Sequence, residues 1–538
     1  MAAAVDRMRT GCGPNEEGER SKTPMIKATK NHLLFAVAGV FALAAVGCVS
    51  EDSTPAAITR DASFVGYSNP DTKQTTCGNC HVDVQSEWKQ TKHANAWADM
   101  QATGHASAAC NKCHTTSGLT NVTGDSTGFF TVSADAQKFY QDVQCEACHG
   151  AGANHISAPG ESQPVQLIMS NDTTHTKGCA SCHYDTHNPF SEQLAASKHG
   201  MMPNWEGTAG SCQVNCHSGF GAMAIYNPRF TYTDQLPAAT LQAKTPGITC
   251  SVCHDPHDAT NPAQTRLTLN TADTASHLCG KCHNRGPVAG AVFGSWKSSR
   301  GGHAAQAATL FGNAGWMPTN TVVGPSRHGT MDGTCATCHM NAGPVNTAAG
   351  AFAVQNTGHT FMVAPCLDPT KTTTGGVDTA EACTEAQRDF SACATSSCHG
   401  TQASAEHAME SLQNEIHGYI NVLWKDKNGN NAIAAFPADS GWIPLLLAHE
   451  SRFAAGSKRL ATSGADTVFT VAKGARFNAL TFGSPNRHGD GSFGVHNPAF
   501  VRSMFRQTIA QVWATYGATD TLPAAPAAVR ALLNAPVR

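Results

Sequence analysis

Two cysteines separated by two residues, with a histidine directly after the second, recur along this 538-residue chain. The regular copies are Cys77/Cys80/His81, Cys110/Cys113/His114, Cys145/Cys148/His149, Cys179/Cys182/His183, Cys250/Cys253/His254, Cys279/Cys282/His283 and Cys335/Cys338/His339. Cys212/Cys216/His217 has one extra residue, and CATSSCHG places Cys393, Cys398 and His399 with two extra. At this composition chance supplies about 0.04 regular copies, so the series is chemical rather than accidental. Two thiols at this spacing reach the two vinyl groups on one porphyrin edge and form thioethers, while the next imidazole turns beneath the ring to bind iron. Zinc ribbons, thioredoxin-like sites and disulfide scaffolds use paired cysteines too, but none requires a histidine after every pair. The expected cofactor is therefore haem c: nine groups, or eight if Cys393/Cys398 is not a site, with the nine motif histidines as proximal ligands.

Outside the N-terminal leader the chain has 25 histidines, of which sixteen do not follow a cysteine pair. That supply is enough to give every haem a second imidazole, making each six-coordinate, low-spin and low in potential. His93 in EWKQTKHA and His199 in QLAASKHG follow attachment sites by short amphipathic stretches that would return a histidine to a neighbouring ring. In CHDPH a proline-stiffened turn aims His257 away from its own haem. His303, His328, His359 and His496 stand beside glycine or proline, where backbone can approach a flat cofactor closely. His105, His175 and His277 lie just upstream of attachment sites and are further candidates for a distal position.

The run from Cys77 to His155, with WKQTKHANA, CHTTSG and VQCEACHGAGANH, resembles the start of the multihaem cytochromes related to the tetrahaem cytochrome of nitrifiers and to hydroxylamine oxidoreductase. The later CHDPH, GGHAAQ, GHTF and GVHNPAF resemble the large exported multihaem cytochromes of metal-reducing bacteria. The resemblance implies that His155, after CEACHG, is a distal ligand, together with the histidines of KHA, KHG, CHDPH and GVHNP. The chain departs from the pattern at CQVNCH and CATSSCH.

The elements that must hold these sites are short. Only 14% of the chain is charged and 7% aromatic, and glycine, serine, threonine, asparagine and proline dominate between the sites. Apolar periodicity is confined to brief helical stretches such as 86–100 and 135–140. The expected fold class is a mostly irregular and α-helical multihaem cytochrome c with little β structure. Stacked haems form its core, because porphyrin burial replaces side-chain burial in offsetting chain entropy. Residues 49–76 read as a linker, 77–399 as the multihaem core, 400–518 as a haem-free C-terminal segment and 519–538 as an Ala/Pro-rich tail. Within the C-terminal segment, 406–425 and 497–517 read as helices and 466–477 as a hairpin. That segment is either an independent domain or, in the preferred reading, one that wraps the haem core and returns His496 to a distal site.

Residues 1–48 read as a leader and signal peptide. From Met25 a short basic region precedes an apolar run from Leu33 to Val46, too short to span a bilayer comfortably, and AAVGC resembles a lipobox ending in a lipidated Cys48. The chain is expected to be exported, as an outer-membrane lipoprotein or at the cell surface, with the periplasm as the alternative. Assigning Cys393 and Cys398 to haem leaves Cys366 and Cys383 for one disulfide; two disulfides among the four are the alternative. A net charge of −3 supplies no basic field for nucleic acid. Expected partners are other redox cytochromes, a membrane reached through the lipid anchor, and extracellular metal oxides or other terminal acceptors. The function expected is an electron conduit, with no catalytic residue assigned. The alternatives are an oxidoreductase with one open haem acting on nitrite, hydroxylamine or a sulfur oxyanion, and a subunit of a cytochrome filament. The lysine-ligated C-x-x-C-K site of nitrite reductases is absent from the sequence.

Overall fold

The computed structural model describes residues 58–117, 127–162, 178–184, 188–200, 216–217, 219, 222, 247–284, 301–319, 323–344, 355–365, 384, 387–449, 469–483, 489–517 and 522–534. The chain divides into residues 1–57 and 58–538, and everything below concerns the second unit. Cys48, His175, Cys212, Cys366 and Cys383 lie outside the described residues, and with them the lipidation and disulfide expectations.

Short helices and irregular chain make up most of the described residues, among which no helix is long and apolar enough to cross a membrane. The strands among them form two antiparallel pairs, β1 (Tyr67–Asn69) with β2 (Gln74–Thr75), and β3 (Gly343–Pro344) with β4 (Gln355–Asn356), beside isolated single-residue bridges. The stretch expected to be helical over 86–100 is broken in two: α1 (Val82–Trp88) and α2 (Ala96–Ala102) flank a tight turn at His93–Asn95, and the one-turn α3 (Asn111–His114) follows. The Thr91 hydroxyl donates to the Trp88 carbonyl at 2.8 Å, and the Val143 N–H donates to the His93 carbonyl at 3.1 Å. These bonds compete with helix continuation, so His93 sits at a fixed corner instead of mid-helix.

A small apolar cluster of Phe64, Tyr67, Trp88, Ala94, Phe129, Phe139 and Tyr140 anchors this N-terminal region. Two carboxylates tie it together. Asp142 accepts from the Tyr67 hydroxyl and the Trp97 N–H, both at 2.9 Å, and pairs with Lys73 at 3.1 Å. Asp61 accepts from the Ser63, Phe64 and Gly128 N–H groups and from the Ser63 and Thr131 hydroxyls.

The C-terminal segment is the least expected part of the fold. α4 (Gln402–Leu423), α5 (Trp442–Ala448), α6 (Val471–Gly483), α7 (Pro498–Val512) and α8 (Ala527–Asn534) surround one large apolar core, which also takes in Ala305, Ala308, Ala314 and Met317. α4 buries Leu412, Ile416, Tyr419, Ile420 and Leu423, a stripe at helical spacing. It starts at Thr401, whose hydroxyl accepts from the Ser404 N–H at 3.1 Å. α7 starts at Asn497, whose side chain accepts from the Phe500 N–H at 3.2 Å, with Pro498 at the first helical position. Arg502 closes the α4–α7 contact on Glu415 at 2.9 Å.

Two expectations change here. The described part of the stretch 466–477, residues 469–477, does not form the expected hairpin: Val471–Gly483 is a helix buried from Ala472 to Phe482, and Trp316 lies so close that a Cβ on Gly474 would sit 2.3 Å from its ring. A helix enclosed on all sides shows no polar face, so its sequence lacks the period that marks a helix. Residues 522–534, within the stretch 519–538 expected as a tail, are not free: Leu522, Ala525 and Val529 are buried in the core, and the Trp442 indole donates to the Pro523 carbonyl at 2.9 Å. Beside the core expected of stacked haems, the C-terminal helices pack on their own apolar side chains.

Ile416 is fully buried in that core. Ile416→Ala should cost about 2–5 kcal/mol in chemical denaturation of the C-terminal helices, while leaving the haem content of the purified protein unchanged. Burial pushes the Asp61 carboxyl up, but hydrogen bonds from Phe64, Thr131 and Ser63 outweigh it and lower the pKa from 3.8 to about 2. A depressed folded pKa stabilises above the unfolded value and is lost as pH falls through the folded one. Asp61→Asn should therefore lower the melting temperature at neutral pH, with the difference from wild type fading between pH 4 and pH 2.

Candidate metal centres

The attachment motifs wind into single turns because the histidine N–H returns to the carbonyl of the first cysteine. His81 donates to Cys77 at 3.0 Å, His183 to Cys179 at 2.9 Å, His254 to Cys250 at 2.9 Å and His283 to Cys279 at 3.0 Å. The stretched CATSSCHG closes in the same way, His399 N–H to Cys393 carbonyl at 3.1 Å, so its two extra residues bulge without opening the turn. Gly400 after it and Gly150 after CEACH both hold φ +76°, a backbone conformation that glycine adopts without strain.

Among the described residues the motif cysteines stand as thiols and not as disulfides, the form in which sulfur can add to a porphyrin vinyl group. Their surroundings differ, although the spacing of the motifs treats them alike. Cys80 and Cys398, each directly before its motif histidine, are exposed, whereas Cys216 and Cys282, in the same position before His217 and His283, are half-buried.

Among the described residues, each motif histidine but one faces a histidine from elsewhere in the chain. The pairs, with ring-centroid separations, are His81–His155 (6.3 Å), His183–His93 (6.1 Å), His149–His257 (6.1 Å), His283–His199 (5.9 Å), His217–His303 (6.1 Å), His254–His359 (6.1 Å), His399–His328 (6.3 Å) and His339–His496 (6.2 Å). Two imidazoles on opposite sides of one metal ion are separated by two bonds of about 2.0–2.1 Å and two ring radii of about 1.1 Å, or roughly 6.3 Å between centroids. Rotation about the N–metal–N axis leaves that distance unchanged. The interplanar angles accordingly spread from 12° to 76° while the separation hardly varies. The donor set fits a six-coordinate iron.

The tautomers agree. Nδ1 lies 2.7 Å from the Ser162 carbonyl at His155, 2.8 Å from Ala263 at His254, 2.7 Å from Val495 at His328, 3.0 Å from Phe361 at His339 and 3.1 Å from Thr357 at His359. A carbonyl only accepts, so Nδ1 carries the proton and Nε2 presents its lone pair to the facing ring. Burial, with neighbouring imidazoles adding to it, lowers His183, His199 and His359 to about 4, which keeps them neutral as metal ligands must be.

His114 is oriented like the others, its Nδ1 2.9 Å from the Ala96 carbonyl, but among the described residues no imidazole faces it at the common separation. His105, expected at a distal site, is exposed. His277 is fully buried, yet it is committed elsewhere. Its Nδ1 accepts from the Cys279 and Gly280 N–H groups, both at 3.1 Å, and its Nε2–H donates to the Thr334 hydroxyl at 2.7 Å. With Cys279 and Cys335 it forms a group of metal-ligand type. That reading fails because both sulfurs belong to attachment motifs and neither imidazole nitrogen has a lone pair to spare.

Sequence reasoning missed the contacts between motifs. Cys77 touches Cys145, Cys113 touches Cys182, Cys179 touches Cys250, Cys279 touches Cys335 and Cys338 touches Cys393. It also missed Asp490, which bonds His496. Neither has a signature along the chain, because both join residues that only folding brings together.

Cysteine pairs whose adjoining histidines face a second imidazole across an iron's width define a multihaem c-type cytochrome, and the chain binds haem c. The family model described as "Cytochrome c554 and c-prime" matches residues 76–150, and "Doubled CXXCH motif" matches 244–287. The chain is similar to the C-type polyheme cytochrome OmcC of Geobacter sulfurreducens, 25% identical over 213 residues, covering 35% of this chain and 27% of that protein's length. Among solved structures, the outer cell wall cytochrome OcwA aligns over 84% of this chain and 99% of its own, with a TM-score of 0.47 and 17% identity. The undecaheme cytochrome from the S-layer of Carboxydothermus ferrireducens aligns over 84% and 70%, with a TM-score of 0.41 and 16% identity.

Removing one facing imidazole should open one iron. His359→Ala should keep every thioether, read as an intact mass lowered only by the lost side chain, and should add a high-spin signal to the EPR spectrum of the oxidised protein.

Proposed function

We propose that this chain is an electron-transfer conduit carrying nine haem c groups, held by the nine motif histidines and their cysteine pairs, exposed Cys80 and half-buried Cys216 and Cys282 included. His155, His93, His257, His303, His359, His199, His496 and His328 supply eight of the distal ligands, and His175, outside the described residues, is left as the candidate for the ninth at the Cys110/Cys113 site. Each bound haem supplies one-electron Fe(III)/Fe(II) chemistry. The chain's own part is to fix the irons, keep their ligands neutral and bring attachment sites close to one another.

The observation that carries this reading is the run of cysteines that meet, or lie within electrostatic reach of one another, between attachment sites. Numbered along the sequence, site 1 meets site 3 through Cys77 and Cys145, and site 3 neighbours site 4 through Cys148 and Cys179. Site 4 meets site 6 through Cys179 and Cys250, and site 6 neighbours site 7 through Cys253 and Cys279. Sites 7 and 8 meet through Cys279 and Cys335, sites 8 and 9 through Cys338 and Cys393, and site 2 branches from site 4 through Cys113 and Cys182. The series 1–3–4–6–7–8–9 runs from the first attachment motif to the last, as a relay requires. Cys393 takes part in it as a haem cysteine would, which supports CATSSCHG as the ninth site.

The leader supports export, with a lipid on Cys48 holding the protein at the outer membrane or cell surface. There it would exchange electrons with other redox cytochromes and with an extracellular acceptor such as a metal oxide.

Intact mass of the purified protein should show nine haems; eight would remove Cys393/Cys398. EPR of the oxidised protein should show low-spin haem throughout. A substantial high-spin signal that shifts with nitrite or cyanide would replace the conduit with a catalytic reading.

A further inference from the structure

Among the described residues, the ligand-type histidines His114, His155, His254, His328, His339 and His359 each place Nδ1 against a backbone carbonyl. His496 differs. Its Nδ1 lies 2.7 Å from Oδ1 of Asp490, whose side chain is fully buried. With Nε2 turned to the facing His339 ring, Nδ1 carries the proton and donates it to the carboxylate. Asp490 Oδ2 in turn accepts from the N–H and hydroxyl of Ser492, the N–H at 3.1 Å. Both oxygens thus receive donors, the pattern of an ionised carboxylate.

A carboxylate on Nδ1 pulls the proton away from the ring and makes Nε2 a stronger donor than a carbonyl does. A buried negative charge beside an iron also favours its more positive oxidation state, and little water is present to screen it. Both effects lower the reduction potential. Among the described residues, Asp255 is a second carboxylate near a facing histidine, but it does not do the same. Asp255 lies 3.5 Å from His257 Nδ1, too far for a good hydrogen bond, and its charge is met by Arg266 at 2.6 Å.

We propose that Asp490, acting through His496, gives the haem attached at Cys335 and Cys338 the lowest potential in the chain. The proposal rests on the ligation of that haem by His339 and His496 set out above. Asp490 is a positioning and tuning residue that touches no haem itself. Site 8 contacts sites 7 and 9, so the most reducing position lies inside the series and not at its end.

The test is a potentiometric titration of the full-length holoprotein followed by haem absorbance. Asp490→Asn keeps the shape and an acceptor oxygen but removes the charge, and should move the most negative wave upward while the rest stay in place. Ser492→Ala removes a donor from Oδ2, leaves more charge on the carboxylate, and should move the same wave further down. A merely structural role would not produce opposite shifts of one wave. If Asp490→Asn does not accumulate, the Ser492→Ala shift still decides. An unmoved lowest wave in the variants obtained overturns the proposal. His496→Ala separates the two levels: without a new high-spin haem the ligation reading fails, whereas a new high-spin haem beside an unmoved lowest wave leaves ligation standing and rejects the tuning.

Discussion

One recurring distance, about 6 Å between a motif histidine and a remote histidine, organises this structure. At that separation the rings are too far apart to pack flat on each other, and an iron held between them would make the spacing favourable. Each pair joins a motif to a remote segment: His339 to the loop before α7, His217 to His303, and His399 to His328. With haem bound, such pairs act as cross-links that restrict the unfolded chain as disulfides do, and ligand binding becomes folding free energy. Long irregular segments are then tolerable, because they span between fixed points.

A different force holds the C-terminal helices. Their core of Ile416, Leu423, Trp424, Ile443, Phe500, Phe505 and Val512 resembles that of an ordinary helical domain. The two regions meet where the loop carrying Asp490 and His496 leaves the helical core and turns to His339. Ser326 donates to the His496 carbonyl at 3.1 Å, and His328, facing His399, bonds the Val495 carbonyl at 2.7 Å. One short loop thus braces imidazoles for two attachment sites, and the apolar core behind it gives that loop a rigid base.

The sequence was most legible where covalent chemistry dictates spacing. Seven regular motifs pointed to both the cofactor and the proximal histidines. Glycine and proline neighbours picked out His303, His328, His359 and His496, all of which face a motif histidine. It was least legible where burial replaces periodicity. α6 is enclosed on every side, so VFTVAKGARF offered only its β-branched residues to read, and the average composition hid an apolar core concentrated in the last quarter of the chain. Leu522, Ala525 and Val529 passed as tail because alanine and proline carry little hydrophobic signal.

For CATSSCHG the sequence left a haem site and a pair of disulfides both open. The tertiary structure supplies the closing hydrogen bond, the positive φ of Gly400, the contact with Cys338 and the facing His328. By itself the sequence determined which atoms can bind porphyrin and iron, because thioether and proximal bonds form within five to seven consecutive residues. Only the tertiary structure decided which remote histidine faces which motif histidine, which cysteines touch across sites, and where a carboxylate stands behind a facing histidine. Those relations join residues far apart along the chain, and nothing in local spacing records them.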